Sequence, residues 1–249
     1  MILAVCLKRV PDTNARPTVG SDGKSINPQG IEFVINPYDE FAIEEALRIR
    51  DKAGSGEVVG VSVDPDGNES ILRKALAMGV DRGILVKGGS AFDGAVNAEI
   101  LAGVLGALNA KIILFGKQAV DSDSSQVPSI VAERLKLPRA TVVTKLEVQG
   151  EKVVCRRQIE GSEEVVEMAM PCVVAAQKGL NEPRYPSLKG IMAAKKKPIE
   201  TRPAPAVEAR IEILKMEPPP PRPPGRIVGR GKEAVPELVR LLREEAKVL

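Results

Sequence analysis

No histidine occurs anywhere in the 249 residues, and that absence removes a large part of enzyme chemistry. A Ser-His-Asp triad, a Cys-His pair and every His-ligated metal site are excluded. Tryptophan is also missing, and aromatic residues make up only 2% of the chain, so stacking platforms for single-stranded nucleic acid are not available. Neither sign of charge dominates: 36 Lys and Arg stand against 33 Asp and Glu, a net +3. That is too balanced for a nucleic-acid surface. No apolar run approaches the ~20 residues that cross a bilayer. The start, "MILAVCLKRV", lacks the basic residues and cleavage pattern of a signal peptide and reads as a strand. The three cysteines (Cys6, Cys155, Cys172) are few, odd in number and set in apolar contexts. Buried, reduced thiols follow, in a reducing compartment. The expectation is a cytoplasmic protein with no direct membrane insertion and no nucleic-acid partner.

What is present is aliphatic. Hydrophobic residues reach 43%, so Val, Ile, Leu and Ala must fill the core, as they do in layered α/β folds. "ILAVCL" (2–7) is a continuous apolar strand. "NPYDEFAIEEALRIR" follows, with Asn36 as expected N-cap and Pro37 in the first helical position, and Ile43, Ala46 and Leu47 share one face. Strands at 57–63 and 83–87 alternate with a helix through Met78, capped by Asn68 or Ser70, and one carrying Leu101, Val104, Leu105 and Leu108. "KIILFG" and a helix opening with Val127, Ile130 and Val131 complete the series. Strand–helix alternation with short connections predicts a doubly wound, mostly parallel sheet with helices on both faces.

After residue 138 helices drop out. Alternating segments separated by "QGEK" and "EGSEE" predict an antiparallel hairpin extension, closed by a strand from Cys172 to Ala176. A Pro- and Gly-bearing loop near 178–190 follows, then "AAKKKP", then a proline-dense strap over 198–225. The C-terminal "EAVPELVRLLREEAKVL" aligns Val235, Leu238, Val239 and Leu242 on one side of a helix. That stripe needs a surface to cover it. The domain division expected is 1–190 for the α/β body and 191–249 for an arm with its helix.

The segment "GKQAVDSDSSQV" (116–127) combines a glycine, small hydroxyls and a helix start at the carboxyl end of a strand. Four segments converge there in such a fold: Cys6 to Val10, Asn36 to Asp39, Val63 with Asp64, and 116–127. These are ingredients of a phosphate cradle. Asp121 and Asp123 would instead accept from ribose hydroxyls or cap the helix. Neither of the glycine-rich phosphate-loop patterns is present, so the pattern alone leaves an ordinary capped helix end open.

Several separate segments, "LKRVPD", "INPYDEFAIEEALRI", "ALAMGVDRGILV", "GKQAVDSDSSQ" and "LNEPRYPSLKGIMAAKKKP", together resemble the β subunits of electron transfer flavoproteins. "RRQIEGSEEVVEMAMPCVVAA" is similar to that family's signature region, departing at Ser162 where Gly, Asp or Glu is usual. The resemblance implies an electron-carrier subunit, not an enzyme, paired with an α subunit that holds the FAD. Flavoprotein dehydrogenases, such as acyl-CoA dehydrogenases, would supply electrons, and a membrane quinone oxidoreductase would accept them. It also implies a structural AMP bound by Cys6, Asn36, Pro37, Tyr38, Asp39, Val63, Gly116, Gln118, Asp121, Asp123, Ser124, Ser125, Gln126 and Val127. A docking loop is implied at Leu180, Asn181, Glu182, Pro183, Arg184 and Tyr185, with Leu180 the apolar anchor and the lysines at 195–197 steering acidic partners. Thr13 stands where some relatives place a tyrosine near the flavin. "DSDSSQVP" also resembles the electron-bifurcating branch, in which this pocket holds a second FAD. A stand-alone adenine-nucleotide hydrolase or sensor of the same fold is the alternative from another class.

Overall fold

The computed structural model describes residues 1–221 and 224–249. Residues 222–223 of the strap lie outside the described part. The chain runs β1 (Ile2–Leu7), β2 (Arg9–Pro11), β3 (Thr18–Val19), β4 (Ile26–Asn27), β5 (Phe33–Ile35), α1 (Pro37–Ala53), β6 (Glu57–Asp64), α2 (Ser70–Met78), β7 (Arg82–Lys87) and α3 (Gly94–Leu108). It continues through β8 (Ile112–Gly116), α4 (Val127–Leu135), β9 (Arg139–Gln149), β10 (Lys152–Ile159), β11 (Ser162–Ala169), β12 (Cys172–Ala176), α5 (Leu188–Ala194), β13 (Ile199–Pro203), a short 3₁₀ turn (Lys232–Ala234) and α6 (Val235–Glu244).

Nine strands form one sheet in the order β11-β10-β9-β12-β8-β1-β6-β7-β13. All neighbours are parallel except β9–β10 and β10–β11, the expected hairpin extension. The central strand β1 is apolar on both faces because both faces are covered. Leu3, Val5 and Leu7 pack with Ile43, Leu47, Leu72 and Leu76 of α1 and α2. Ala4 and Cys6 pack on the opposite side with Ile100, Leu105 and Val131 of α3 and α4. All three cysteines are free and buried.

Asn36 holds the expected N-cap position of α1, although its side chain makes no capping bond; its amide bonds Asp39 and the 116–127 loop instead. Other local expectations are corrected. Residues 199–203 read as strap, yet β13 pairs with β7 along its whole length. Their polar, proline-flanked sequence suits an edge strand. Because α5 also packs on α2, the body of the fold continues past residue 190. Glu69, not Asn68 or Ser70, holds the N-cap position of α2, while Asn68 Oδ1 accepts from the Ser70 N–H at 2.8 Å. The stripe on α6 is not covered by the body of this chain: Val235 and Leu238 are 52% and 43% exposed, and the helix buries no residue. No helix of the described residues is long and apolar enough to cross a membrane.

Candidate nucleotide site

The order β7-β6-β1-β8-β12 sends the chain outward from β1 on both sides. The crevice between β1 and β8 is therefore the point where strand order reverses, where open α/β sheets bind ligands. A cleft of about 680 Å³, much of it the solvent at its mouth, opens there. Its apolar side comes from Cys6, Val63, Leu101, Phe115 and Val127. Its polar side comes from Asn97, Gln118, Ser122, Ser124, Ser125 and Gln126.

Asp39 holds the floor of this crevice. It is 5% exposed, and its Oδ2 accepts from the Lys8 N–H at 2.8 Å. Its Oδ1 accepts from Gly116 N–H and Asn36 Nδ2, each at 3.0 Å. One carboxylate thus joins the ends of β1 and β8 to the first turn of α1. Burial pushes its pKa up to about 7, against these three donated hydrogen bonds and the Lys8 charge. Asn36 completes the junction, donating to Gln118 O at 2.8 Å and accepting from Val120 N–H at 3.1 Å. Gly116 is required by close approach: a Cβ there would lie 2.5 Å from Asp39 Oδ1 and 2.6 Å from Tyr38 Cβ.

The loop from Gly116 to Val127 is wound tightly. Asp123 and Ser125 adopt left-handed φ of 48° and 52°, sparsely populated for side-chain-bearing residues and frequent at ligand sites. Left-handed Ser125 followed by right-handed Gln126 (φ −97°, ψ −31°) turns successive N–H groups to one side, the geometry of an anion-binding nest. Among the described residues, no backbone or side-chain acceptor is bonded to the N–H groups of Ser124, Ser125 or Gln126. They lead directly into α4, whose N-terminus carries partial positive charge. The two acids of the loop are tied up elsewhere. Asp121 pairs with Lys8 at 2.7 Å, and Asp123 accepts from Gln118 Nε2. Neither caps α4, and the repulsion they would exert on a phosphate is thereby reduced.

Of the expected nucleotide contacts, Cys6, Asn36, Asp39, Val63, Gly116, Gln118 and Ser124 to Val127 line the cleft. Pro37, Tyr38, Asp121 and Asp123 do not; Asp121 lines the neighbouring cleft instead. Pro37 opens α1, and the Tyr38 ring lies under the Lys117 amine at 5.1 Å. The sequence predicts the helix α3 but not its place at the site, where it brings Gly94, Asn97 and Leu101 to the far wall. The Asp93 N-cap was the available signal. Burial and the Asp39 charge hold the Cys6 thiol protonated, and Asp39 is fully engaged. No group of three potential metal ligands exists among the described residues.

The 180–185 loop is fastened to α1. Asn181 Nδ2 donates to Phe41 O at 3.0 Å and Glu45 Oε2 at 2.8 Å. The Arg184 guanidinium meets Glu44 at 2.7 Å and Asp51 at 3.3 Å. Leu180, expected to project, is instead half-buried against the core. Pro183 is half-buried and Glu182 exposed. The apolar groups offered to solvent lie further on: Tyr185 is 95% exposed, Leu188 85% and Met192 64%. Of the three lysines, Lys195 and Lys196 are exposed. Lys197 turns inward, its Nζ donating to Leu76 O and Val80 O at the end of α2.

Residues 24–207 match the family described as Electron transfer flavoprotein domain. The chain is similar to electron transfer flavoprotein subunit beta of Syntrophomonas wolfei, 44% identical over 94% of this chain and 90% of that one. It is 40% identical to the subunit of the same name in Bradyrhizobium diazoefficiens, across the full length of both. The subunit CarD of the caffeyl-CoA reductase-Etf complex of Acetobacterium woodii is 38% identical over 80% of this chain and 77% of that one. The chain belongs to the electron transfer flavoprotein family, as a beta subunit.

Proposed function

We infer that the chain pairs with an α subunit in a heterodimer that carries electrons between flavoenzymes, and that its own contribution is a frame rather than bond chemistry. The observation that carries this reading is the crevice between β1 and β8, walled by apolar side chains and ending in three unpartnered N–H groups at the start of α4. That combination suits a purine nucleotide with one phosphate. AMP fits: Cys6, Val63 and Leu101 would face the base, and Ser124 to Gln126 the phosphate. FAD supplies the electron-carrying chemistry when bound, and is held mainly by the α subunit. The uncovered stripe of α6 supports an arm that docks on that subunit. Flavoprotein dehydrogenases such as acyl-CoA dehydrogenases are the donors in this reading, and a membrane quinone oxidoreductase the acceptor.

Docking to dehydrogenases is assigned to the exposed edge around Tyr185, Leu188 and Met192. Leu188 replaces Leu180 as the anchor, because Leu180 is engaged with the core and an anchor must be free to enter a partner's pocket.

A second reading is favoured by one observation. A neighbouring cleft of about 1110 Å³ shares Lys8, Val63 and Asn97 with the first and carries Phe33 and Phe92. It continues the first cleft past Lys8, Val63 and Asn97 and adds two aromatic rings, so a second FAD is the alternative occupant. Denaturing the purified complex and quantifying what it releases separates the two. One AMP and one FAD per heterodimer is the expected result. Two FAD and no AMP favours the bifurcating type, and no adenine nucleotide beyond the FAD removes the nucleotide site.

A further inference from the structure

One buried carboxylate outside the loop segments described above touches two functional regions at once. Asp93 is 2% exposed and precedes α3. Its Oδ1 caps that helix, accepting from Ala95 and Val96 N–H at 3.0 and 3.2 Å. Its Oδ2 accepts from Arg210 and Ile211 N–H at 2.7 and 3.2 Å, in the strap that leads to α6. The next residues, Gly94 and Asn97, line the nucleotide cleft. Gly94 sits so close to the cradle that an added Cβ would fall 2.7 Å from Gln126 Nε2. Asn97 is fixed in turn by a two-way exchange with Ser90, whose hydroxyl accepts from the Asp93 N–H at 2.9 Å. Beyond Ala204, where the strap leaves the sheet edge, the backbone bonds holding it among the described residues are those to Asp93 and one from Met216 N–H to Gly23 O.

We propose that Asp93 is a positioning residue that couples the nucleotide cleft to the C-terminal arm, so that a nucleotide in the cleft and the seated strap stabilise each other. This rests on the nucleotide reading above. Physically, a ligand that orders the first turn of α3 fixes the carboxylate that the strap needs, and a seated strap fixes the turn that the ligand needs. Such linkage is reciprocal. The carboxylate is specific to the task. All four partners are donors, and an ionised Asp is acceptor on both oxygens. Asparagine would turn an N–H₂ toward two N–H groups whichever way it rotates. Serine keeps the cap, being as good an N-cap as Asp, but has a single oxygen and no reach to the strap.

The test uses the full heterodimer and AMP as the probe, with calorimetry for binding and amide hydrogen exchange for the strap. In the wild type, saturating AMP is expected to slow exchange at Arg210 and Ile211 by roughly tenfold, within the usual range of coupling. In Asp93→Ser, both amides should exchange fast with or without AMP, while Ala95 and Val96 stay protected. Ile211→Pro removes one strap donor and leaves Asp93 untouched; it should weaken AMP binding several-fold, and this variant decides the matter if Asp93→Ser disturbs the cap. AMP that binds by calorimetry without altering exchange at 210–211 overturns the coupling alone. Unchanged AMP affinity in Ile211→Pro does the same. Absence of AMP binding in the wild type overturns the nucleotide reading, and this inference with it.

Discussion

Replacing Gly116 by alanine puts a methyl group where the crevice has no room. Its Cβ would stand 2.5 Å from Asp39 Oδ1, 2.6 Å from Tyr38 Cβ and 2.7 Å from the Tyr38 carbonyl carbon, where ordinary contacts are 3.4–4 Å. Two of these three atoms cannot rotate away, so the first turn of α1 must retreat from the end of β8. Overpacking of this kind costs about 1–3 kcal/mol. The retreat also stretches the Gly116 N–H bond to Asp39 and the Asn36 bonds to Gln118 and Val120, each worth about 1 kcal/mol. A loss of about 4–6 kcal/mol follows, which for a chain of this size lowers Tm by roughly 10–20 °C. Thermal unfolding followed by circular dichroism reads the stability, and calorimetric titration reads AMP affinity, which should fall as the cleft distorts. Gly103→Ala is the control, since nothing lies within 4 Å of an added methyl there; in mid-helix it should stabilise by about 0.5–1 kcal/mol. A Gly116→Ala protein that melts within 2 °C of the wild type and binds AMP normally would refute the close-approach argument.

Other consequences follow from the same geometry. Asp39 titrates near pH 7 in the fold against a usual 3.8, so between those values the native state binds more protons than the unfolded one. Stability without nucleotide should therefore fall as pH rises from about 4 to 7, by at most about 4 kcal/mol at about 1.4 kcal/mol per unit. Urea unfolding at pH 5 and pH 8 should show that slope in the wild type and its loss in Asp39→Asn; equal slopes would dismiss Asp39 as its source. Lys197→Met removes charged hydrogen bonds from the end of α2 and should cost about 1–3 kcal/mol, whereas Lys196→Met should leave Tm unchanged and slow only salt-sensitive association. A Tm that moves equally in both would return Lys197 to the solvated run. Leu188→Ala should slow electron acceptance from a dehydrogenase at least tenfold with flavin content intact, while Leu180→Ala should mainly lower Tm. The reverse pattern would restore Leu180 as the anchor.

How much of this was legible beforehand depended on the kind of signal. Strands such as "ILAVCL" and "KIILFG" are continuous apolar runs because both faces are covered, and that pattern survives without any tertiary knowledge. The polar loop was legible for a similar reason, since its small hydroxyls and following Pro128 mark a helix start. β13 was not legible: "IETRP" is a polar edge strand recruited by its neighbour's free backbone groups rather than by its own side chains. The direction in which Leu180 points was equally hidden, because it is decided by Asn181 and Arg184 reaching α1 residues some 140 positions earlier. Asn97 escaped notice because an interior helical asparagine announces nothing until the sheet places α3 beside the cleft.

The central claim is that a mononucleotide occupies the crevice between β1 and β8, and density in crystals of the purified complex tests it most directly. The account predicts one AMP, its purine against Cys6, Val63 and Leu101 and its phosphate on the N–H groups of Ser124, Ser125 and Gln126. A nucleotide bound at another face of this chain, with the crevice closed over, would contradict it.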